Sequence, residues 1–414
     1  MLIILTTHPI QYQVPLWQAL AKDGRVPFEV WYMSNHGIKP SQDVEFGTKF
    51  AWDLDMLEGY PHQFLKGADA VHPAKFWDCR IRENLAAKLR ASGATALWIQ
   101  GWQVAGYWQA VLAARSAGVE LWLRGESNDL APSRGWKKNV KRQVLGWLFG
   151  RVDKFLSIGT GNRRLYESYG VRPSQMFSAP YCVDNTRFQQ QAEALRPKRD
   201  QLRRAWGIPE GAFCPLFCGK FIPKKRPMDL VLAAQILRKS DPNSQIHLLF
   251  AGSGELGPEL RSACSVAFDA ESLSVQRSAF NVQSPPASFL GFLNQTRVSE
   301  AYVAADCLVL PSDYGETWGL VVNEAMASGL PCIISDHCGS APDLGSRPPN
   351  LVFPCGDSQL LAARLQRLAS STMQSIPENM LVDYSFDHTV RSVCKAYSET
   401  PSERREIHSQ SGRP

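Results

Sequence analysis

The 414-residue chain is expected to fold as an α/β protein with two doubly wound parallel-sheet domains, and three observations lead there. Short apolar runs alternate with helix-patterned stretches along the chain, the signature of parallel strands joined by right-handed crossovers. The alternation is interrupted once, by the polar, charged segment NTRFQQQAEALRPKRDQLRRAWGIPEG (185–211), and then restarts. The length also exceeds what one ordinary core serves, so two units of roughly 200 residues each are the natural division.

The elements follow in order. LIILTT (2–7) reads as the first strand, and FEVWYM (28–33), ALWIQG (96–101), VELWLRG (119–125), KFLSIG (154–159) and MFSAPY (176–181) continue the set. Each is a short apolar run bounded by turn residues. Helices fall between them, such as VAGYWQAVLAARSAG, stopped by Gly118. The second set is FCPLFCGK (213–220), IHLLFAGSG (246–254), ASFLGF (287–292), DCLVLPS (306–312), PCIIS (331–335) and NLVF (350–353). We therefore expect domains at 1–190 and 205–383, facing each other across a central cleft. The helical stretch 384–398 is expected to pack back on the first domain, and the polar tail 399–414 to be disordered.

Composition narrows the class. At 44% hydrophobic and 20% charged residues the chain is globular. No apolar run approaches the ~20 residues of a membrane span, and the start, MLIILTTHPIQYQ, reads as a strand rather than a signal peptide. The ten cysteines lie mostly in apolar stretches and form no C-x-x-C pair. They read as buried thiols of a reducing compartment, which places the protein in the cytoplasm. The net charge of +6 suits an anionic ligand or membrane surface without naming either. Neither half carries G-x-G-x-x-G at its first strand, which argues against a dinucleotide dehydrogenase.

Four segments of the second half converge where open α/β sheets bind ligands, at strand carboxyl ends. GKFIPKKRP (219–227) places Lys220 just past a strand, with Lys225 five residues on. AGSGE (251–255) is a turn whose Gly252 and Gly254 let a ring or phosphate approach the backbone. In DYGETWG (313–319) the amides of Thr317, Trp318 and Gly319 open a helix and suit an anion. Glu316 lies on that loop, and Glu324 in the helix beyond it. Singly, such lysines read as a solvated loop and such a glutamate as a helix surface; together, two cations and a helix amino terminus describe a diphosphate site.

These segments resemble a known family. Glu316 and Glu324, within ETWGLVVNEAMASGLP, look like the signature of the retaining nucleotide-sugar glycosyltransferases of the large group-one family. GKFIPKKRP and AGSGE resemble that family's lysine segment and glycine turn, and the likeness covers most of residues 205–365. LRGESN and YCVDNTRF carry it more weakly in the first half. The resemblance implies the GT-B fold, two Rossmann-like domains with the donor nucleotide held mainly by the second. It implies that Lys220 and Lys225 bind the diphosphate and neutralise the leaving group, that Glu324 accepts from ribose hydroxyls, and that Glu316 holds the transferred sugar. Gly252, Gly254, Thr317, Trp318 and Gly319 complete the donor site. No metal or other cofactor is implied. The partners are a nucleotide-sugar donor and a sugar or lipid-linked acceptor, in surface polysaccharide or glycoconjugate synthesis, with no nucleic acid. The alternatives are a GT-B nucleotide-sugar epimerase or hydrolase, or a non-catalytic nucleotide-binding homologue.

The chain departs from the family pattern in three places. THPIQYQVP (7–15) replaces the glycine-rich loop after the first strand, which leaves His8 and Gln11 as acceptor-side candidates or structural residues. RGES stands where many relatives have a histidine, making Arg124, Glu126 and Ser127 the candidates there. GSAPD (339–343) replaces G-G-x-P-E, with Asp343 a conservative variant. One stretch stands apart, SRGWKKNVKRQVLGWLFGRVDK (133–154). Trp136, Val140, Val144, Trp147 and Leu148 recur at helical spacing, with Lys137, Lys138, Lys141 and Arg142 on other faces. It reads either as an amphipathic helix against an anionic membrane surface, peripheral to the inner face, or as a core-packed helix with a solvated basic face.

Overall fold

The computed structural model describes residues 1–38, 41–43, 48–50, 55–130, 136–271, 284–370 and 376–400. The chain divides into two compact units. One comprises 1–41, 54–181 and 384–414, the other 42–53 and 182–383.

The first unit is built on β1 (Leu2–Thr6), β2 (Phe28–Tyr32), β5 (His62–Phe64), β6 (Ala96–Ile99), β7 (Glu120–Leu123), β8 (Lys154–Ser157) and β9 (Met176–Ser178); β3 (Ser41–Asp43) and β4 (Thr48–Phe50) pair separately. Its seven strands are parallel, in the order β5-β2-β1-β6-β7-β8-β9. The helices are α1 (Val14–Asp23), α2 (Leu85–Ala91), α3 (Ala105–Ala117), α4 (Trp136–Phe149) and α5 (Thr160–Ser168). Every residue of β1, β6 and β7 is buried, as a sheet covered on both faces requires. That double burial is why LIIL and ALWI read as unbroken apolar runs, while β7 begins with the ion-paired Glu120. The strand order reverses beside β1, so the loops after β1 and β6 flank the switch point where such sheets take ligands.

The last described helix, α13 (Phe386–Ser398), belongs to this first unit. Lys154 explains its docking. Its ammonium is buried, pairs with Glu120 at 3.1 Å, and donates to Ala396 O at 2.6 Å. Thr400 closes the group by donating to Glu120. Removing either charge would strand the other in a dry site, at a cost of roughly 3–5 kcal/mol. Residues 401–414 of the expected tail lie outside the described residues.

The second unit contains α6 (Asn185–Leu195), α7 (Arg199–Ala205), α8 (Met228–Ser240), α9 (Gly257–Ser262), α10 (Val298–Ala304), α11 (Leu320–Ala327) and α12 (Ser358–Ser370). Its strands are β10 (Pro215–Cys218), β11 (Leu248–Ala251), β12 (Ser265–Asp269), β13 (Pro286–Phe289), β14 (Cys307–Leu310), β15 (Cys332–Ser335) and β16 (Leu351–Phe353). They run parallel in the order β12-β13-β11-β10-β14-β15-β16. Here too the order turns at the first strand, between β10 and β14.

The segment expected to link the domains is instead helical and packed. Phe188 and Ala192 of α6 are fully buried, with Phe188 edge-on to Tyr302 of α10. Arg203 of α7 is buried and bonds Asp306 and Ala304 O. The charged composition that suggested a linker is thus a set of partnered arginines, and the long segment of the second unit starts at Cys182. All ten cysteines are free thiols, seven of them buried. No helix among the described residues is long and apolar enough to cross a membrane.

Candidate active site

In the second unit, the loops after β10 and β14 flank the switch point and bring three of the expected residues to the same sheet edge. Lys220 follows β10 and is half-buried. Lys225 ends a 3-10 turn, Pro223–Lys225, and its ammonium forms an ion pair with Glu316 Oε2, to which Ser312 also donates at 3.4 Å. Glu316 is fixed through its backbone as well: its N–H donates to Asp313 O, and its carbonyl accepts from Gly339. The loop therefore presents a carboxylate and an ammonium side by side.

Gly319 is the N-cap of α11, with φ 92 and no side-chain cap. A Cβ there would strike Leu310, so only glycine lets the loop close tightly onto β14 before the helix starts. Trp318 is buried and donates from its indole to Asn323 one turn on, an anchor for the amides of Thr317, Trp318 and Gly319. Gly252 and Gly254 have a packing reason of their own: at φ 138 and 149, their missing side chains admit the backbone of Gly219 and Phe221. The turn thus carries the Lys220 loop directly.

Glu324 is not a helix-surface residue. Tyr302 donates to its Oε2 at 2.6 Å, and Tyr302 also approaches Cys218 at the end of β10. Gln295 and Arg187 complete the surroundings, Arg187 donating to Gln295 at 2.6 Å. Burial pushes the Glu324 carboxyl up from its ordinary range, while the hydrogen bonds from Tyr302 and Gln295 and the charge of Arg187 pull it back. Tyr302, Gln295 and Arg187 escaped the sequence reading. Arg187 lies in YCVDNTRF, where the resemblance is weak, Tyr302 and Gln295 on segments whose pattern speaks only of helix or loop, and all three are 22 or more residues from the carboxylate.

The first unit places its candidates at the carboxyl ends of β1 and β7. Burial lowers His8 to about 4, with His36 and His72 adding to the effect, so its imidazole is neutral at neutral pH. Its Nδ1 bonds Thr7, and its ring meets His36 edge-on. Gln11 Oε1 is buried without a partner among the described residues. Arg124 directs its donors to the carbonyls of Ala179 and Pro180 and lies 4.7 Å over the Tyr181 ring. It thereby positions Tyr181, whose hydroxyl donates to Glu126 Oε1; Tyr12 reaches the same oxygen at 3.4 Å. Two phenols from distant loops thus converge on one carboxylate oxygen, a cluster the sequence did not disclose.

The family described as glycosyl transferases group 1 matches residues 198–381. That segment belongs to the group-1 glycosyltransferase family and contains the Lys220, Lys225, Glu316 and Glu324 site. Among curated relatives, a D-inositol 3-phosphate glycosyltransferase of Thermomonospora curvata is 33% identical over 178 residues, covering 41% of this chain and 38% of its own length. One of Salinispora arenicola is 27% identical over 242 residues, covering 57% of this chain and 52% of its own. The chain thus spans 38% and 52% of the length of these two relatives. Among solved structures, Anabaena Alr3699/HepE in complex with UDP and glucose superposes with a TM-score of 0.64 at 15% identity, covering 96% of this chain and 99% of that one. A glycosyltransferase from Rickettsia africae ESF-5 gives 0.68 at 13% identity, covering 96% and 98%. The fold is GT-B, with two Rossmann-like sheets.

Proposed function

We propose that this protein transfers a sugar, with retention of configuration and without a metal, from a nucleotide-sugar donor to a sugar or lipid-linked acceptor. The observation that carries this reading is the paired Lys225 and Glu316 beside the α11 amino terminus, with Tyr302-held Glu324 in the same family-matched segment. Lys220 and Lys225 take the diphosphate, and the amides of Thr317, Trp318 and Gly319 add the helix's positive end. Glu324 accepts from the ribose hydroxyls, and Glu316 from hydroxyls of the transferred sugar. Gly252 and Gly254 shape the donor side through the Lys220 loop. The acceptor oxygen bonds the anomeric carbon as the bond from that carbon to the diphosphate oxygen breaks. Attack comes from the leaving group's own face, and a diphosphate oxygen takes the acceptor's proton. Positioning and charge stabilisation then carry the catalysis.

His8, Gln11 and Glu126 belong to the acceptor side, with Arg124 acting through Tyr181. The UDP and glucose of the Anabaena neighbour and the sugar transfer named for the relatives support a nucleotide-sugar donor. We assign the pathway to assembly of a surface polysaccharide or glycoconjugate at the inner membrane face, with the basic helix α4 towards anionic lipid.

The test has two stages. A thermal-shift screen over nucleoside diphosphates and nucleotide sugars identifies the donor, since a ligand bound to the native state raises Tm. Transfer with that donor should then persist in EDTA. Loss in chelator with recovery on adding manganese would remove the metal-free mechanism, and free sugar released without acceptor would mark a hydrolase.

A further inference from the structure

Helix α4 has two apolar faces, and only one is explained by the core. Leu145, Leu148 and Phe149 are buried, whereas Val140, Val144 and Trp147, spaced four and three residues apart, are 51%, 43% and 40% exposed. Trp147 stacks on Trp108 of α3 at 6.0 Å, and Leu112, one turn beyond Trp108, is 58% exposed. The outward stripe thus passes from α4 onto α3. The first turn of α3 is in turn tied to a loop, since Ala105 and Gly106 donate to the carbonyls of Phe76 and Cys79. That loop carries Trp77, 75% exposed, with Phe76 edge-on beside it at 4.8 Å.

Charge says what covers this face. Lys138, Lys141 and Arg142 of α4 are exposed, and the α4 sequence contains no acidic residue. Arg151 lies 3.8 Å over the Trp147 ring, so a cation sits at the edge of the stripe. The one carboxylate between residues 74 and 80, Asp78, is matched by Lys75 at 4.0 Å. Apolar and aromatic side chains facing outward within a field of cations suit the boundary of an anionic bilayer, where tryptophan takes the headgroup level.

We propose that Phe76 and Trp77 insert into an anionic lipid surface, together with the outward stripe of α3 and α4. This deepens the membrane contact proposed for α4, on which it rests, by naming a second inserting element and its anchor, Trp77. The bilayer attracts the helix by charge and retains the face by the aromatic loop.

Co-sedimentation of the full chain with vesicles separates the two contributions. Wild type should bind phosphatidylcholine–phosphatidylglycerol vesicles and leave pure phosphatidylcholine vesicles unbound. Replacing Lys138, Lys141 and Arg142 together by Gln should lower the partition coefficient about 100-fold, each charge near the surface contributing roughly fivefold. Trp77→Ser should lower it about tenfold at the same salt, through lost apolar burial. The thermal shift with nucleoside diphosphate should be unchanged in both variants, which verifies folding and leaves the donor reading untouched. If Trp77→Ser and Val144→Ser bind like wild type while the charge variant does not, the loop proposal is overturned and the helix reading stands. If wild type stays in the supernatant with anionic vesicles, both are overturned. A dimer in solution that Trp77→Ser splits, without vesicle binding, would make this face an interface between copies.

Discussion

The two units each fasten a carboxylate with a buried tyrosine near the carboxyl ends of a seven-stranded parallel sheet, and they assemble the group in opposite ways. In the second unit, Glu316 and Glu324 are separated by one loop and one turn of α11, so a contiguous stretch sets the distance between them. Tyr302 and Lys225 then lock each in place. In the first unit, Glu126 lies on the loop after β7, and its partners come from elsewhere: Tyr12 is 114 residues away and Tyr181 55. The lesson is one of encoding. A site written in one segment is recognisable as a motif, and the family match at 198–381 falls there. A site gathered from three loops has no such local text.

If the two carboxylates of the second unit divide the donor between them, their variants should fail differently, and this is the largest effect expected. Glu316→Gln should lower the single-turnover rate on the order of 100-fold or more, as for loss of a positioned electrostatic group. Its affinity for the bare nucleoside diphosphate should hold or tighten, because Lys225 loses the carboxylate that competes with phosphate for it. Nucleotide affinity lost with the rate intact would force the two roles to be exchanged or abandoned.

Glu324→Ala should behave in the reverse sense, weakening the bare nucleotide by roughly 1–3 kcal/mol because buried ribose hydroxyls lose their acceptor. Calorimetry showing unchanged affinity in a folded variant would break the ribose assignment.

The tyrosines offer a finer comparison. Tyr302→Phe removes a hydrogen bond that favours the ionised Glu324 carboxylate, so its already raised pKa should rise further. If the proposed ribose contact needs the ionised carboxylate, nucleotide affinity should fall with falling pH at a higher pH than an ordinary carboxylate would dictate, and higher again in the variant. The loss at neutral pH should be about 0.5–1.5 kcal/mol. A pH profile that does not move would leave Tyr302 as packing only.

Tyr181→Phe, the smallest effect, should raise the acceptor KM severalfold and leave nucleoside diphosphate affinity unchanged, because it loosens Glu126 in the other unit. A change in nucleotide affinity instead would erase the distinction between the units.

Much of the fold was legible for a simple reason. Central parallel strands are buried on both faces, so LIIL, ALWI and CLVL are apolar throughout and need no partner to be recognised. Two of the four edge strands of the seven-stranded sheets, β5 and β12, were not. In β5, HQF is half-buried, and in β12 SVAFD no residue is fully buried. Such strands carry a weak pattern, and only pairing with β2 and β13 makes them strands. The segment 185–211 misled because charge usually means solvent, and Arg203 is charged yet buried against Asp306.

The sequence by itself determined the alternation of strands and helices, its single restart, and the candidate residues that follow strand ends, because periodicity and turn chemistry act within a few residues. Which of those residues meet was decided only in three dimensions. Lys225 reaches Glu316 across 91 positions, Tyr302 reaches Glu324 across 22, and Arg124 turns to the carbonyls of Ala179 and Pro180. These contacts depend on strand order in the sheet, and strand order is set by long-range packing that no local window contains.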